Sequence, residues 1–196
     1  MIKSAGLSEN FSSTLGRFFA FLPFHPNTLT IFSVIAAFCG FVFSYFGFLL
    51  YGFFSFLFAF LLDVLDGAVA RAKKLATKKG AFLDGVADRV VEFFLILSLI
   101  FVLPESFLPA VFVLFFGSCM TSFVKAYAHH KEVLKKEEAE KLGGILERGE
   151  RGALLLLVFL LVVFNYNFYA VLLLILIAAL SFVTFVYRVC AVVKKR

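Results

Sequence analysis

The sequence predicts an all-α integral membrane protein of one domain, residues 1–196, with six transmembrane helices and an N-terminal amphipathic surface helix. Three observations predict it. Hydrophobic residues make up 62% of the 196, and the mean hydropathy is +1.00; a soluble domain is closer to half apolar. Residues 18–62 and 152–187 contain no Asp, Glu, Lys or Arg, and each run is long enough for two spans of roughly 20 residues. The basic residues gather before span 1, between spans 2 and 3, between spans 4 and 5, and after span 6, while the other connections hold only Glu105. This asymmetry predicts a multi-pass protein of the cell membrane with both termini cytoplasmic. It also assigns the net charge of +6 to anionic headgroups rather than to nucleic acid.

The elements follow in order. Residues 7–22, with Ser8 as a candidate cap, form the surface helix within a juxtamembrane segment, 1–25. Pro23, Pro26 and Asn27 break the chain, and Asn27 or Thr28 is the expected cap of the next helix. Span 1 covers roughly 28–47 and span 2 roughly 50–70, with a turn near Gly47–Gly52. Gly80 is expected to turn the chain into span 3, roughly 81–103, which carries Asp84, Asp88 and Glu92 on one face while Arg89 points elsewhere. Span 4, roughly 107–128, follows an outer turn at Pro104–Pro109. Residues 129–151 are a charged cytoplasmic segment, expected to be helical over 131–141 and to end at Gly143–Gly144. Its adjacent His129 and His130 point in different directions on a helix and make no metal pair. Span 5, roughly 152–165, is short enough that part of the preceding helix is expected to extend it; span 6 covers roughly 168–187. Cys39, Cys119 and Cys190 are isolated and read as packing residues without disulfide or metal spacing. No cleavable signal peptide is expected, because the N-terminus is polar and the first long apolar run begins late.

The chemistry concentrates in residues 63–88, DVLDGAVARAKKLATKKGAFLDGVAD. Asp63 and Asp66 share one helical face, and Asp84 and Asp88 share another. A short basic stretch joins the two pairs, so both can face one point. Four carboxylates around one point repel unless cations lie between them. Carboxylate ligation without Cys or His favours a hard cation such as Mg²⁺, Mn²⁺ or Ca²⁺. Two such ions held close together are a device for phosphoryl transfer. Gly67 and Ala70 let backbone and ligand approach closely, and Arg71 offers a planar, permanently charged donor suited to a phosphate.

The spacing D-x2-D-G-x2-A-R-x8-G-x3-D-x3-D is filled by Asp63, Asp66, Gly67, Ala70, Arg71, Gly80, Asp84 and Asp88. It resembles the signature of the CDP-alcohol phosphotransferases, integral membrane enzymes of phospholipid synthesis. The resemblance implies transfer of a phospho-alcohol from a CDP-alcohol, commonly a CDP-lipid, to an acceptor hydroxyl, with release of CMP. It implies two divalent cations, Mg²⁺ with Mn²⁺ as the alternative, held by Asp63, Asp66, Asp84 and Asp88. Asp88 would also take the acceptor's proton. Asp66, Gly67, Ala70, Arg71 and Gly80 would frame the CDP moiety. The Pro26-Asn27-x2-Thr30 stretch resembles the family's entry to its first span, which brings Asn27 to the nucleotide. A homodimer with a cytoplasmic active site is expected.

The acceptor is read from a second stretch. Family members that use inositol phosphate carry a sequence like SY-x-KARAE at the end of span 4 and G-x-x-ER-x-ER further on. Here Ser122-Phe-Val-Lys125-Ala126-Tyr127 and Gly144-Ile-Leu-Glu147-Arg148-Gly-Glu150-Arg151 stand in those places. Lys125 and the Glu-Arg runs match; Tyr127 and His129 replace the family's arginine and acid. Lys125, Arg148, Arg151 and Arg188 are therefore candidate contacts for an acceptor phosphate. The expected acceptor is inositol phosphate, as in the phosphatidylinositol phosphate and archaetidylinositol phosphate synthases, with diacylglycerol or archaeol as the lipid. The alternatives are a di-inositol phosphate phosphate synthase using CDP-inositol, glycerophosphate or serine as acceptor, and, outside catalysis, a divalent-cation transporter. The CDP-inositol reading is disfavoured because such members are often fused to a soluble cytidylyltransferase not read in this sequence. Transport is disfavoured because an ion path would carry polar residues across the bilayer, whereas the acids cluster at one end.

Overall fold

The computed structural model describes residues 25–195, which form helices and no strand. In order they are α1 (Pro26–Tyr45), α2 (Leu49–Ala72), α3 (Lys78–Val102), α4 (Pro104–His130), α5 (Lys136–Glu140), α6 (Arg148–Val163) and α7 (Asn167–Val193). Four of them, α1, α2, α4 and α7, are long and apolar enough to cross a membrane. The amphipathic helix expected at 7–22 lies outside the described residues.

The bundle has two sides. Helix α1 packs chiefly on α2 and α3; α7 packs on both α4 and α6, and α6 also meets α2 and α3. Small residues set the first contact. Ser33, Ala37, Gly40 and Ser44 form the buried face of α1. A Cβ at Gly40 would sit 3.0 Å from the fully buried Phe56 ring of α2, and Phe56 meets Phe159 of α6 edge to face at 5.4 Å. Between apolar helices that gain little from hydrophobic burial in lipid, such close approach supplies the packing energy. Large apolar side chains such as Phe32, Phe58, Leu108 and Phe182 face outward.

Four helix ends, those of α1, α2, α4 and α6, obey one rule. After α1 the Gly47 N–H donates to Ser44 O and the Phe48 N–H to Phe43 O; after α6 the Asn165 N–H donates to Val162 O and the Tyr166 N–H to Leu161 O. These paired bonds are Schellman closures, which require a left-handed residue. Gly47 (φ 82°) and Asn165 (φ 62°) provide it, and Lys74 (φ 56°) and Glu132 (φ 56°) do the same after α2 and α4. Helix α1 starts differently from expectation. Its cap is His25, whose Nδ1 accepts from the Asn27 amide at 3.3 Å, and Pro26 takes the first turn, where its missing N–H costs nothing. Gly80 likewise makes no turn. It lies in the first turn of α3, where its amide donates to the capping Thr77 Oγ1 at 3.0 Å.

Helix α4 changes winding within its length. Val113–Met120 is π-helical, and a π segment rotates the side chains that follow it. Gly117 and Ser118 lie in this segment. A Cβ on Gly117 would meet Arg151 Cδ at 3.1 Å, and Ser118 Oγ donates to Glu92 Oε2 at 2.8 Å. Glu92 of α3 and Arg151 of α6 form a buried two-point ion pair through Arg151 Nε and Nη2, the latter at 3.1 Å. The pair therefore ties α3, α4 and α6 together.

Residues 131–147 return the chain from α4 to α6. The helix expected over 131–141 is only Lys136–Glu140, because Glu132 turns left-handed and the chain bends before α5. Leu134 and Ala139 bury against Ala128, with Val192 of α7 packed beside them. Glu138 accepts from Lys195 Nζ at 2.6 Å, and that contact holds its carboxyl below the usual glutamate range. Thr184 of α7 fixes the far end of the connection, its Oγ1 accepting from the Leu146 amide at 3.0 Å. Glu147 caps α6, exchanging bonds with Glu150 in a capping box, so the charged turn Arg148–Arg151 extends the apolar run as expected.

Two predictions follow from this packing. Glu92→Gln leaves the Arg151 guanidinium buried without its counter-ion and is expected to cost about 3–5 kcal/mol. A Cβ at Gly144 would lie 2.3 Å from Thr184 Cγ2, so Gly144→Ala is expected to cost roughly 1–3 kcal/mol. Adding Thr184→Ser, which keeps the hydroxyl and removes the methyl, should restore most of the second loss. The temperature at which half of the purified protein leaves the monodisperse size-exclusion peak measures both; an unshifted midpoint for Glu92→Gln would refute the first.

Candidate active site

The carboxylates come from two helix ends that face each other. Asp63 and Asp66 lie in the last turns of α2, Asp84 and Asp88 in the first turns of α3. One oxygen from each of Asp63, Asp66 and Asp84 lies within 4.8 Å of the others. Three carboxylate oxygens converging this closely suit a hard divalent cation. Asp66 is buried and oriented by Thr30 of α1, whose Oγ1 donates to Asp66 Oδ2 at 2.5 Å. The Thr30 of the Pro26-Asn27-x2-Thr30 stretch thus fixes one of the converging acids.

Asp88 stands beside this group and is held by two arginines. Arg148, in the first turn of α6, forks across the acids, with Nη2 donating to Asp63 Oδ2 at 3.0 Å and Nη1 to Asp88 Oδ2. Arg89 Nη1 donates to the same Asp88 oxygen at 3.0 Å and to Gly85 O at 2.8 Å, and its Nη2 donates to Ser122 Oγ of α4 at 2.7 Å. Asp88 Oδ1 is buried and has no hydrogen-bond partner among the described residues. One carboxylate oxygen is thus fixed from both sides and the other is left as an unused acceptor.

Small residues shape the approach on the α1 and α2 side. A Cβ on Gly67 would lie 3.4 Å from Arg71 Nη1, so the guanidinium folds over the glycine. A Cβ on Gly80 would lie 3.2 Å from Asn27 Oδ1. Asn27 is therefore no cap; its side chain lies against Gly80 where α1 meets α3. The signature glycines make room for neighbouring side chains rather than for turns.

The four cations expected to bind an acceptor phosphate occupy three settings. Lys125 Nζ donates to Glu140 O at 3.4 Å. Arg188, buried near the end of α7, donates to Gly143 O at 3.1 Å through Nε and to Thr121 O at 2.8 Å through Nη1. The Glu147 carboxylate attracts both Lys125 and Arg188, and Arg188 in turn repels Lys125. Arg148 is on the carboxylates, and Arg151 is buried in its ion pair with Glu92. Arg89 was expected to point away; instead it folds back along α3 to reach Asp88. The sequence signal for it is weak: an arginine long enough to reach the carbonyl four residues earlier, and Ser118 and Ser122 one turn apart on the facing helix. His129 and His130 are exposed and His129 Nδ1 lies 3.4 Å from Leu134 O. The three cysteines are free and exposed on the helix surfaces rather than packed within the bundle.

Known proteins share this fold. The structure superposes on the phosphatidylinositol phosphate synthase of Mycobacterium tuberculosis in its complex with manganese and citrate. The TM-score is 0.75 at 24% identity, over 93% of this chain and 89% of that one. Against the CDP-DAG-bound form of that protein the values are 0.71 and 25%, over 94% of each chain. The "Archaetidylinositol phosphate synthase" of Pyrococcus horikoshii is 32% identical over 185 residues, 89% of this chain and 87% of that protein. The "Bifunctional IPC transferase and DIPP synthase" of Aquifex aeolicus is 40% identical over 102 residues, or 51% of this chain. The chain spans 24% of the length of that protein and 23% of its like-named relative in Archaeoglobus fulgidus. The family model described as CDP-alcohol phosphatidyltransferase matches residues 24–186. With that match covering the aspartate cluster and all seven helix starts, the chain belongs to the CDP-alcohol phosphatidyltransferase family.

Proposed function

We propose that this protein transfers the phospho-lipid group of a CDP-lipid to a hydroxyl of inositol phosphate and releases CMP. The observation that carries the reading is the convergence of Asp63, Asp66 and Asp84 within 4.8 Å, with Asp88 tied to Asp63 through Arg148. Phosphoryl transfer asks for positioning and charge neutralisation more than for covalent help, and the site offers both.

The donor set fits divalent metal. Asp63, Asp66 and Asp84 would hold one ion, with Asp88 completing the ligands of a second; Mg²⁺ suits the all-carboxylate set, with Mn²⁺ as the alternative. When bound, the metal neutralises the diphosphate and stabilises the departing CMP. The protein's own groups do the rest. Thr30 keeps the Asp66 carboxylate turned to the cluster. Gly67, Ala70, Arg71, Gly80 and Asn27 frame the CDP moiety, Arg71 as its charged donor. Asp88 Oδ1, free of other bonds, accepts the proton of the attacking hydroxyl as that oxygen bonds to phosphorus. Lys125, Arg188 and Arg148 bind the acceptor's phosphate. Arg151 supports them through Glu92 instead of binding the acceptor itself.

Residues 1–196 form one membrane domain in this reading. Helices α3 and α6 complete six spans with α1, α2, α4 and α7. Helix α3 has 25 residues, and its acids lie in one half. Helix α6 has 16 residues, short for a bilayer core of about 30 Å, with Arg148–Arg151 reaching the headgroup level. The basic connections place both termini and the site on the cytoplasmic side, and the protein works as a homodimer. A second reading, CDP-inositol as donor, draws on the 40% identity to a protein named in part a DIPP synthase.

Purified protein with Mg²⁺ and labelled CDP-lipid tests the reading. CMP release is expected with inositol phosphate and not with inositol, serine or glycerol phosphate. Asp88→Asn should lower kcat by about 100-fold or more, the usual worth of a general base. Asp84→Asn should raise the Mg²⁺ concentration needed for half-maximal rate. Release with glycerol phosphate alone would replace the acceptor, and release with CDP-inositol alone would replace the donor. Absence of release with every pair would remove the enzymatic reading.

A further inference from the structure

We propose that Arg148 is a built-in counter-ion that masks Asp63 and Asp88 until a phosphorylated acceptor draws it away. The inference rests on the proposed function for its acceptor, and on the structure for the mask itself. Arg148 donates to both acids, with 3.0 Å to Asp63 and a shorter contact to Asp88. Its side chain is 36% exposed where the Asp88 side chain is 5% exposed, so the arginine has room to leave and the acid does not. Asp88 keeps a partner when it does. Arg89 is no less exposed, at 38%, but it holds the same oxygen while anchored to Gly85 O and Ser122. Arg148 is thus the removable member of a two-arginine clamp.

The other cations show where it would go. Lys125 and Arg188 bond to main-chain carbonyls, and the one carboxylate that faces both, Glu147, offsets only part of their joint charge. A phosphate arriving beside them offers Arg148 a dianion in exchange for two separate carboxylates, and a planar fork suits phosphate and carboxylate alike. Transfer of Arg148 to the phosphate would expose Asp63 to metal and, by removing one of the two cations on Asp88 Oδ2, make the open Oδ1 a stronger base in the same step. Before that, water in the site meets a base weakened by the two arginines on its other oxygen. The reaction so suppressed is hydrolysis of the donor: a water oxygen bonds to the phosphorus bearing the lipid, its proton passes to Asp88, the bond to the CMP oxygen breaks, and CMP leaves. The mask therefore reserves the CDP-lipid for transfer. A neutral acceptor, having no charge to offer Arg148, would not lift it.

Metal binding without turnover tests this. Mn²⁺ is titrated into the purified full chain without CDP-lipid, free Mn²⁺ being read by its electron paramagnetic resonance signal, with and without inositol phosphate. In the wild type the acceptor should tighten Mn²⁺ binding by about 10-fold, within the usual range for coupled sites. Arg148→Gln should bind Mn²⁺ about 10-fold more tightly than wild type with no acceptor present, and the acceptor should then change nothing. Arg148→Lys, which keeps the charge but not the fork, should fall between; it also serves if the glutamine variant does not fold. With CDP-lipid and Mg²⁺ but no acceptor, CMP release by Arg148→Gln should exceed that of the wild type. Unchanged or weaker Mn²⁺ binding by both variants overturns the proposal, as does a fall in acceptor-free hydrolysis. A wild type that releases no CMP with any phosphorylated acceptor would overturn the proposed function, while the Mn²⁺ comparison would still decide whether Arg148 competes with metal.

Discussion

Negative charge gathered at one end of an apolar helix bundle is the constraint on which this structure depends. Five acids, Asp63, Asp66, Asp84, Asp88 and Glu92, lie on α2 and α3, and three of them are buried. A buried carboxylate without a partner is strongly unfavourable. The chain meets the demand with a ladder. Asp88 and Glu92 stand one turn apart on α3; Arg148 and Arg151 stand about one turn apart on α6; the two rungs are Arg148–Asp88 and Arg151–Glu92. The ladder fixes the register of α6 against α3. It explains why α6 begins at a charged turn that its apolar run alone would not require. The π segment of α4 belongs to the same solution, since it places Ser118 on Glu92 and bare Gly117 against the Arg151 stem.

The two rungs serve different ends. Glu92 and Arg151 are equally buried, each side chain 5% exposed, and they form a closed unit with Ser118. Such a unit holds helices and has no open position. The Asp88 rung is open: one of its oxygens is unpaired, its arginine is partly exposed, and that arginine is shared with Asp63. The lower rung supplies rigidity that lets the upper rung remain under-neutralised. That arrangement is what a site for added cations requires.

Much of this was legible in the sequence. The apolar runs give the helices to within a few residues, and the i, i+3 and i, i+4 spacings of the aspartates put them on facing surfaces. The misses have physical causes. Asn27 reads as a cap because Asn is a good one, yet Pro26 at the first helical position was the better signal, and it places the cap at His25. Gly80 reads as a turn because glycine permits one, but Lys74 and Leu75 close α2, and the absent Cβ at Gly80 serves a close approach. Arg89 was dismissed on the direction of its Cα–Cβ bond, which does not bound a side chain long enough to fold back along its own helix. Arg151 was grouped with Arg148 because the Glu-Arg runs look alike. Three residues of helical offset send one guanidinium to the aspartates and the other to Glu92, and only the position of α6 against α3 decides which.

The cations of the site can be ranked by what they already hold. An arginine on a carboxylate is half of a neutral pair and exerts little field beyond it. An arginine or lysine on a carbonyl keeps its full charge. Lys125 and Arg188 are of the second kind, and the connection from α4 to α6 is what makes them so, through Glu140 O and Gly143 O. That connection is held by Thr184 under Gly144 and by Lys195 on Glu138, contacts remote from the aspartates. The segment therefore does more than join two helices. It gives Lys125 and Arg188 main-chain oxygens to bond, with Glu147 as the acid that faces both, and so sets two cations beside a site whose floor is acidic. An anion entering there is attracted by the two cations and repelled by the floor. It should come to rest between them, with its phosphate outermost and its uncharged part directed at the aspartates, the orientation that an attacking hydroxyl on a phosphorylated alcohol needs.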